Sequence, residues 1–260
     1  MKHLILLVLV ICSTGVQAQS VRNITSVQRP EDAGMSAERL GRIDQMLEEH
    51  VRNKQLPGAV ALIVRNGKIV YHKAFGTSNM ATNATLKKDD IFRIASQTKA
   101  VTSLAVMMLY EEGKFLLDEP VSNFIPEFKN PVVLKTYNAA DTSYTTEPAK
   151  SEITIRQLLT HSSGLDYAVI GTEVHKAIYA KHRISPGIGD ARSILSDDIR
   201  RLAKLPLAHH PGERWTYGLN TDVLGYLVEV VSGMPFDQFL EKRIFEKPAA
   251  CKLRHGFLVR

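Results

Sequence analysis

The sequence predicts an α+β fold, a strand-rich start followed by a long helical region. Three features point there. A segment opening at Ser36 repeats its apolar residues at helical spacing; "PGAVALIVRNGKIVYHKAFG" then sets two β-rich runs around Asn66-Gly67; and beyond Ser96 the apolar residues recur almost throughout with the helical period. With 260 residues, 44% of them hydrophobic and 23% charged, the chain suffices for one large domain or two intimate ones, and disordered or fibrous classes are excluded.

Ser36 can cap the first helix, in which Leu40, Ile43, Met46, Leu47 and Val51 fall on one face and which should end near Asn53. Asn66-Gly67 is the strongest short hairpin signal, because both residues tolerate positive φ. The hairpin should be covered on one face by the Ser36 helix. The next helix is expected from Ser96 to Glu112, with Gly113 as its C′ residue, and "AVTSLAVMMLY" makes it apolar almost all round, hence central and buried.

"LLDEPVSNFIPEF" is punctuated by proline, and "KTYNAADTSYTTEPAKSE" is polar enough for an exposed excursion. "ITIRQLLTHSSGL" predicts a short amphipathic helix stopped by Gly164. The stretch from Tyr167 to Lys204 mixes helical pieces with a surface loop at "SPGIGD". "PGERWTYGLNTDVLGYLVEVVSG" then turns at Pro-Gly into a helix from Thr221 to Ser232 closed by Gly233, and a last helix runs from Phe236 to Phe245. One hairpin followed by helices leaves the sheet short of strands.

The opening stretch "MKHLILLVLVICSTGVQAQS" has a basic start, an apolar core from Leu4 to Ile11 and small residues near Ala18, the pattern of a cleaved secretory signal over residues 1–18. A secreted or periplasmic protein is expected. Bulky Ile11 disfavours lipidation at Cys12. With Cys12 in the signal, Cys251 stands alone in the mature chain and no intramolecular disulfide can form. No later stretch approaches the ~20 apolar residues of a membrane span. The net charge of +6 comes from scattered Lys and Arg, so no nucleic-acid partner is expected.

In "IASQTKAVTS", Ser96 stands three residues before Lys99, a Ser-x-x-Lys motif of serine acyl-transfer chemistry. On a helix these positions share a face, so the amine can approach the hydroxyl, and helix-start N–H groups can stabilise an oxyanion. A lysine base must be neutral, which requires burial or nearby positive charge. The competing reading makes Ser96 an ordinary helix cap. Tyr217, in "RWTYGLN", can supply the proton shuttle such a site needs, or can simply pack in an aromatic core. His161 reads as a helix-end histidine or as a base. His-Glu-x-x-His, a phosphate loop, a dinucleotide fingerprint and Gly-x-Ser-x-Gly do not occur, and no cofactor or metal is expected.

In their order along the chain, "PGAVALIVRNGKIVYHKAFG", "FRIASQTKAVTS", "LLDEPVSNFIPEF", "ITIRQLLTHSSGL" and "PGERWTYGLNTDVLGYLVEVVSG" resemble the serine β-lactamase, penicillin-binding protein and esterase superfamily, specifically its class C β-lactamase-related branch. The resemblance implies a β-lactamase/transpeptidase-like fold, an antiparallel sheet flanked by helices plus an all-helical region. It makes Ser96 the acylated nucleophile, Lys99 its partner and Tyr217 the general base. It also implies an acyl-enzyme on esters, β-lactams or peptidoglycan-like amides, with a small acyl substrate or a cell-wall peptide as partner.

Two departures bear on function. Where relatives that hold an amide carry asparagine two residues after the tyrosine, this chain has Leu219, with an asparagine only at Asn220; these two positions are the candidate substrate-binding residues, and the pattern is more esterase-like. The third motif of the family, Lys or His, a small residue and Gly, does not follow Tyr217, and "FEKPAACKLRHGFLVR" breaks the family pattern. Residues 19–260 are therefore expected to form an incomplete, truncated domain lacking the C-terminal sheet strands. The alternative function is a non-catalytic fragment that at most binds ligand or peptidoglycan.

Overall fold

The computed structural model describes residues 24–185 and 193–246. The signal expected over 1–18, both cysteines, all but the first residue of "SPGIGD" and the terminal segment after Glu246 lie outside them. The chain divides into two compact units, one up to Lys88 and one from Asp89.

In the first unit, strand β1 (Thr25–Ser26) precedes helix α1 (Ala37–Arg52), which begins where Ser36 accepts a hydrogen bond from the Arg39 amide and ends at Asn53, as expected. Strands β2 (Gly58–Arg65) and β3 (Lys68–Asn79) form the expected antiparallel hairpin. Asn66 and Gly67 turn it with φ of 52° and 74°, the left-handed pair such a two-residue turn requires. β1 pairs parallel with β3, and a short β4 (Ala84–Thr85) pairs antiparallel with it.

Helix α1 is tied to β3 by chemistry as well as packing. The Tyr71 hydroxyl donates to Asp44 at 2.6 Å and the Lys73 ammonium donates to its other oxygen, also at 2.6 Å. Leu40, Leu47, Val70 and Tyr71 are buried. The Lys73 and Tyr71 hydrogen bonds hold the Asp44 carboxyl below its ordinary range.

In the second unit, α2 (Thr98–Glu111) ends at Gly113, whose φ of 70° allows the left-handed exit. The helix begins two residues later than expected, after a 3-10 turn over Ala95–Gln97. It is not buried all round: Ala105, Val106 and Leu109 face the core, whereas Leu104 is half exposed. An apolar sequence on every face gives no direction, so packing alone selects the buried side.

The excursion expected near residues 135–152 is exposed or half-exposed throughout, and it carries most of a second hairpin that the sequence did not announce, β5 (Val132–Tyr137) with β6 (Tyr144–Pro148). Val133 is buried, and the β5 backbone exchanges hydrogen bonds with Leu207 through Leu134 N–H and the Val132 carbonyl. Those distant contacts make strands of a locally polar sequence.

Helix α3 (Ile155–Leu159) opens with a capping box from Thr154 and Gln157 and stops well before Gly164. Then come α4 (Glu173–Lys181), α5 (Leu195–Leu202) and α6 (Asn220–Ser232), the last closed by Gly233 at φ 70°. The last helix among the described residues is α7 (Phe236–Leu240), which widens into a single π turn over Glu241–Phe245. One continuous core joins Ala105, Val106 and Leu109 of α2 to Val223, Leu227 and Val228 of α6.

Asp44→Ala is expected to loosen α1 on the hairpin. Because the Asp44 carboxyl titrates lower when folded, its stabilisation is present above the unfolded value near 3.8 and lost as pH falls through the folded one. Hydrogen exchange in β3 should therefore separate mutant from wild type at neutral pH and converge only once the pH falls well below 3.8, through the folded value; a gap independent of pH would contradict this role.

Candidate active site

The sequence of "RIASQTK" bends before it becomes a helix. Ala95 takes φ 46°, a left-handed value that costs a non-glycine residue about 1–2 kcal/mol, and Ser96 follows in the 3-10 turn ahead of α2. The N-cap of α2 is Gln97, and it makes no side-chain cap. Ser96 is therefore neither a cap nor part of the first α-helical turn, and the ordinary-cap reading fails. Its exposed hydroxyl lies 2.7 Å from the Tyr217 hydroxyl and accepts from Lys99 Nζ at 3.5 Å.

Tyr217 sits on the turn entering α6, and its neighbours fix that turn. Thr216 N–H donates to the His161 carbonyl at 2.7 Å, and Leu219 N–H donates to the Asp166 carbonyl at 3.1 Å. Between them, Gly218 lies so close to the 165–166 backbone that a Cβ would sit 2.1 Å from the Leu165 carbonyl oxygen. Only glycine fits there.

The phenol ring is framed by aromatic groups. Tyr167 stacks on it, centroids 5.6 Å apart and planes 5° from parallel; His161 lies 5.1 Å away, and the exposed Trp215 6.1 Å away. Tyr217 is thus both an aromatic packing residue and a group aimed at Ser96. Lys99 Nζ lies 4.9 Å from the Tyr217 ring centroid and 5.8 Å from that of Tyr167. Hydrogen bonding by Lys99, then by Ser96, holds the Tyr217 phenol below its ordinary range. Burial pushes Tyr167 the other way, up to about 12. Desolvation also pushes the Asp222 carboxyl up to about 6, with Lys99 opposing.

Leu219 and Asn220 lie inside. Leu219 is 3% exposed within the core, and Asn220 is fully buried, its amide engaged by Ser163 at 2.5 Å and by His161 at 2.9 Å. Tyr167 is the site residue that motif reading missed. Its position after "HSSGLD" carries no catalytic signal, and only the stacking reveals it. Among the described residues, no cluster of three or more His, Cys, Asp or Glu is placed to hold a metal, and no helix is long and apolar enough to cross a membrane.

A serine hydroxyl shared between a lysine and an acidified phenol can do nucleophilic acyl chemistry, the chemistry of the serine acyl-transfer class. Residues 43–249 match the β-lactamase family, and the chain belongs to that family. It is 38% identical over 194 residues to the esterase EstB of Burkholderia gladioli, covering 75% of this chain and 46% of that one. Among solved structures it resembles EstCE1, described as a hydrolase with promiscuous acyltransferase activity, with a TM-score of 0.67, 29% identity and coverage of 80% of this chain and 51% of that one. It also resembles unliganded simvastatin synthase (LovD) of Aspergillus terreus, with a TM-score of 0.64, 26% identity and coverage of 81% and 53%. The fold is the mixed α+β fold of β-lactamases and transpeptidases. The chain spans about half the length of the relatives it matches.

Gly218→Ala should force the Leu165 carbonyl and the Tyr217 turn apart, at about 1–3 kcal/mol of stability. Denaturant unfolding reads the stability, and the intrinsic titration of the Tyr217 phenol, followed by ultraviolet difference absorbance against Tyr217→Phe, should move back toward the ordinary tyrosine range. An unshifted phenol would show that the close approach does not position it.

Proposed function

We propose that the chain carries the nucleophilic half of a serine ester hydrolase or acyltransferase that works through an acyl-enzyme on Ser96. The observation behind this is the 2.7 Å contact between Ser96 Oγ and Tyr217 Oη beside Lys99. The hydrogen bonds from Lys99 and Ser96 favour the phenolate of Tyr217, which takes the Ser96 proton as Oγ bonds to the acyl carbon. The C–O bond to the leaving alcohol breaks as Tyr217 returns the proton to its oxygen. Water, or a second alcohol, then attacks the acyl-serine while Tyr217 takes its proton, and Ser96 regains a proton as the acid or new ester leaves.

Esters are favoured over β-lactams and cell-wall peptides because Leu219 stands where an amide-holding asparagine would be, and Asn220 already uses its amide internally. The names of the esterase and acyltransferase relatives support the same class. Secretion or a periplasmic location belongs to this proposal on the strength of the signal pattern at residues 1–18.

Intact-mass analysis after treatment with a fluorophosphonate should show one covalent adduct that Ser96→Ala abolishes. Tyr217→Phe should slow its formation about 10²–10⁴-fold. A Ser96→Ala protein that still labels at the same rate would remove Ser96 from the role. A folded wild type without any adduct would favour a fragment that binds without catalysis.

A further inference from the structure

Next to Tyr217, through His161, runs a chain of hydrogen bonds among buried polar groups. Leu165 N–H donates to Ser163 Oγ at 3.1 Å, and a backbone amide can do nothing but donate. A hydroxyl can accept twice, but Ser163 must also place its own proton, and the acceptor in reach is Asn220 Oδ1 at 2.5 Å, since an amide oxygen only accepts. That orients the Asn220 amide so that Nδ2, a donor only, faces His161 Nδ1 at 2.9 Å. His161 Nδ1 must then accept, and the ring proton sits on Nε2.

We infer that His161 is a positioning residue for Tyr217, held as the neutral Nε2–H tautomer by this one-way relay through Ser163 and Asn220. Ser163 and Asn220 are fully buried, so no water can substitute for a lost partner without rearrangement. A proton on Nδ1 would set two donors against each other. Relief requires either swinging the ring or flipping the Asn220 amide, and the flip would turn its NH₂ onto Ser163.

A swung ring does not move alone. The His161 ring lies against Tyr217, and its own carbonyl holds Thr216 N–H at the start of the Tyr217 turn. The backbone is already held at φ 55°, the left-handed region that histidine tolerates better than most residues. The other titratable groups around this assembly are Lys99 of α2, Tyr167 stacked on Tyr217, Tyr217 itself, Asp222 of α6 near Tyr217 and His209, whose Nε2 bonds the Thr216 hydroxyl at 2.9 Å. Burial, and then the charge of Lys99, hold His161 below the ordinary histidine range, in agreement with the relay.

The inference rests on Tyr217 as the proton-transfer group, but its first test needs no activity. In ¹⁵N-histidine NMR of the full chain, with the signal assigned by His161→Gln, His161 should show an unprotonated Nδ1 and remain neutral below the ordinary value of about 6.5. An Nδ1–H tautomer, or titration at or above that value, would overturn the relay.

The second test is Asn220→Asp, which replaces the donor facing His161 by an acceptor at nearly constant shape. His161 should then gain its proton nearer neutrality. Because the new acceptor holds the charged ring in place, the variant should label Ser96 with fluorophosphonate about tenfold to a hundredfold faster than wild type at a pH where both carry a charged His161. Equal labelling rates of the two proteins with His161 charged would sink the positioning role. If this variant does not fold, the wild-type titration decides alone; if wild type never labels, the acyl-enzyme proposal fails while the tautomer result still judges the relay.

Discussion

The site depends on one close approach of backbone to backbone. The turn carrying Tyr217 is pressed against residues 161–166, with Thr216 and Leu219 donating across the contact and Gly218 leaving room for it. Hydrogen bonds of this kind contribute about 1 kcal/mol each when buried, too little alone to define a catalytic group. The absent Cβ adds direction. With the two segments in contact, the phenol has Tyr167 on one face and His161 nearby, and its hydroxyl meets Ser96.

Ser96 is delivered from another direction, and its placement costs strain. The left-handed Ala95 lifts the serine out of the helix that follows, while Lys99 stays close enough to reach it. The α2–α6 core is extensive enough to hold that geometry, since Ala105, Val106, Val223 and Val228 are almost wholly buried. The apolar run that made Ser96 look like the start of a common buried helix is what allows the departure just before it.

Local chemistry made much of this legible. Ser36, Asn66-Gly67, Gly113 and Gly233 each act through their own backbone or nearest neighbours, and α1, the first hairpin and the ends of α2 and α6 followed from them. The second hairpin did not follow, because Val132 to Leu134 become a strand through Leu207, far along the chain. Ser96, Lys99 and Tyr217 were recognisable as motif residues, and the structure brings all three together. Tyr167 and the Ser163–Asn220–His161 relay were not, because stacking and hydrogen-bond direction have no spacing rule.

The one-residue displacement of asparagine from position 219 to 220 illustrates how little a motif says without its helix. Asn220 is the first residue of α6, where a step of one residue rotates a side chain by about 100°. Leu219 closes the core, and the asparagine amide is buried against Ser163 and His161. An exposed amide would grip a substrate, whereas this buried one fixes the tautomer of His161 and steadies the wall on which Tyr217 rests. The same side chain, one position along, exchanges a role in holding an amide substrate for a role in holding the phenol. That exchange agrees with the ester chemistry proposed above, since an ester's carbonyl needs activation more than the rest of the molecule needs an amide partner.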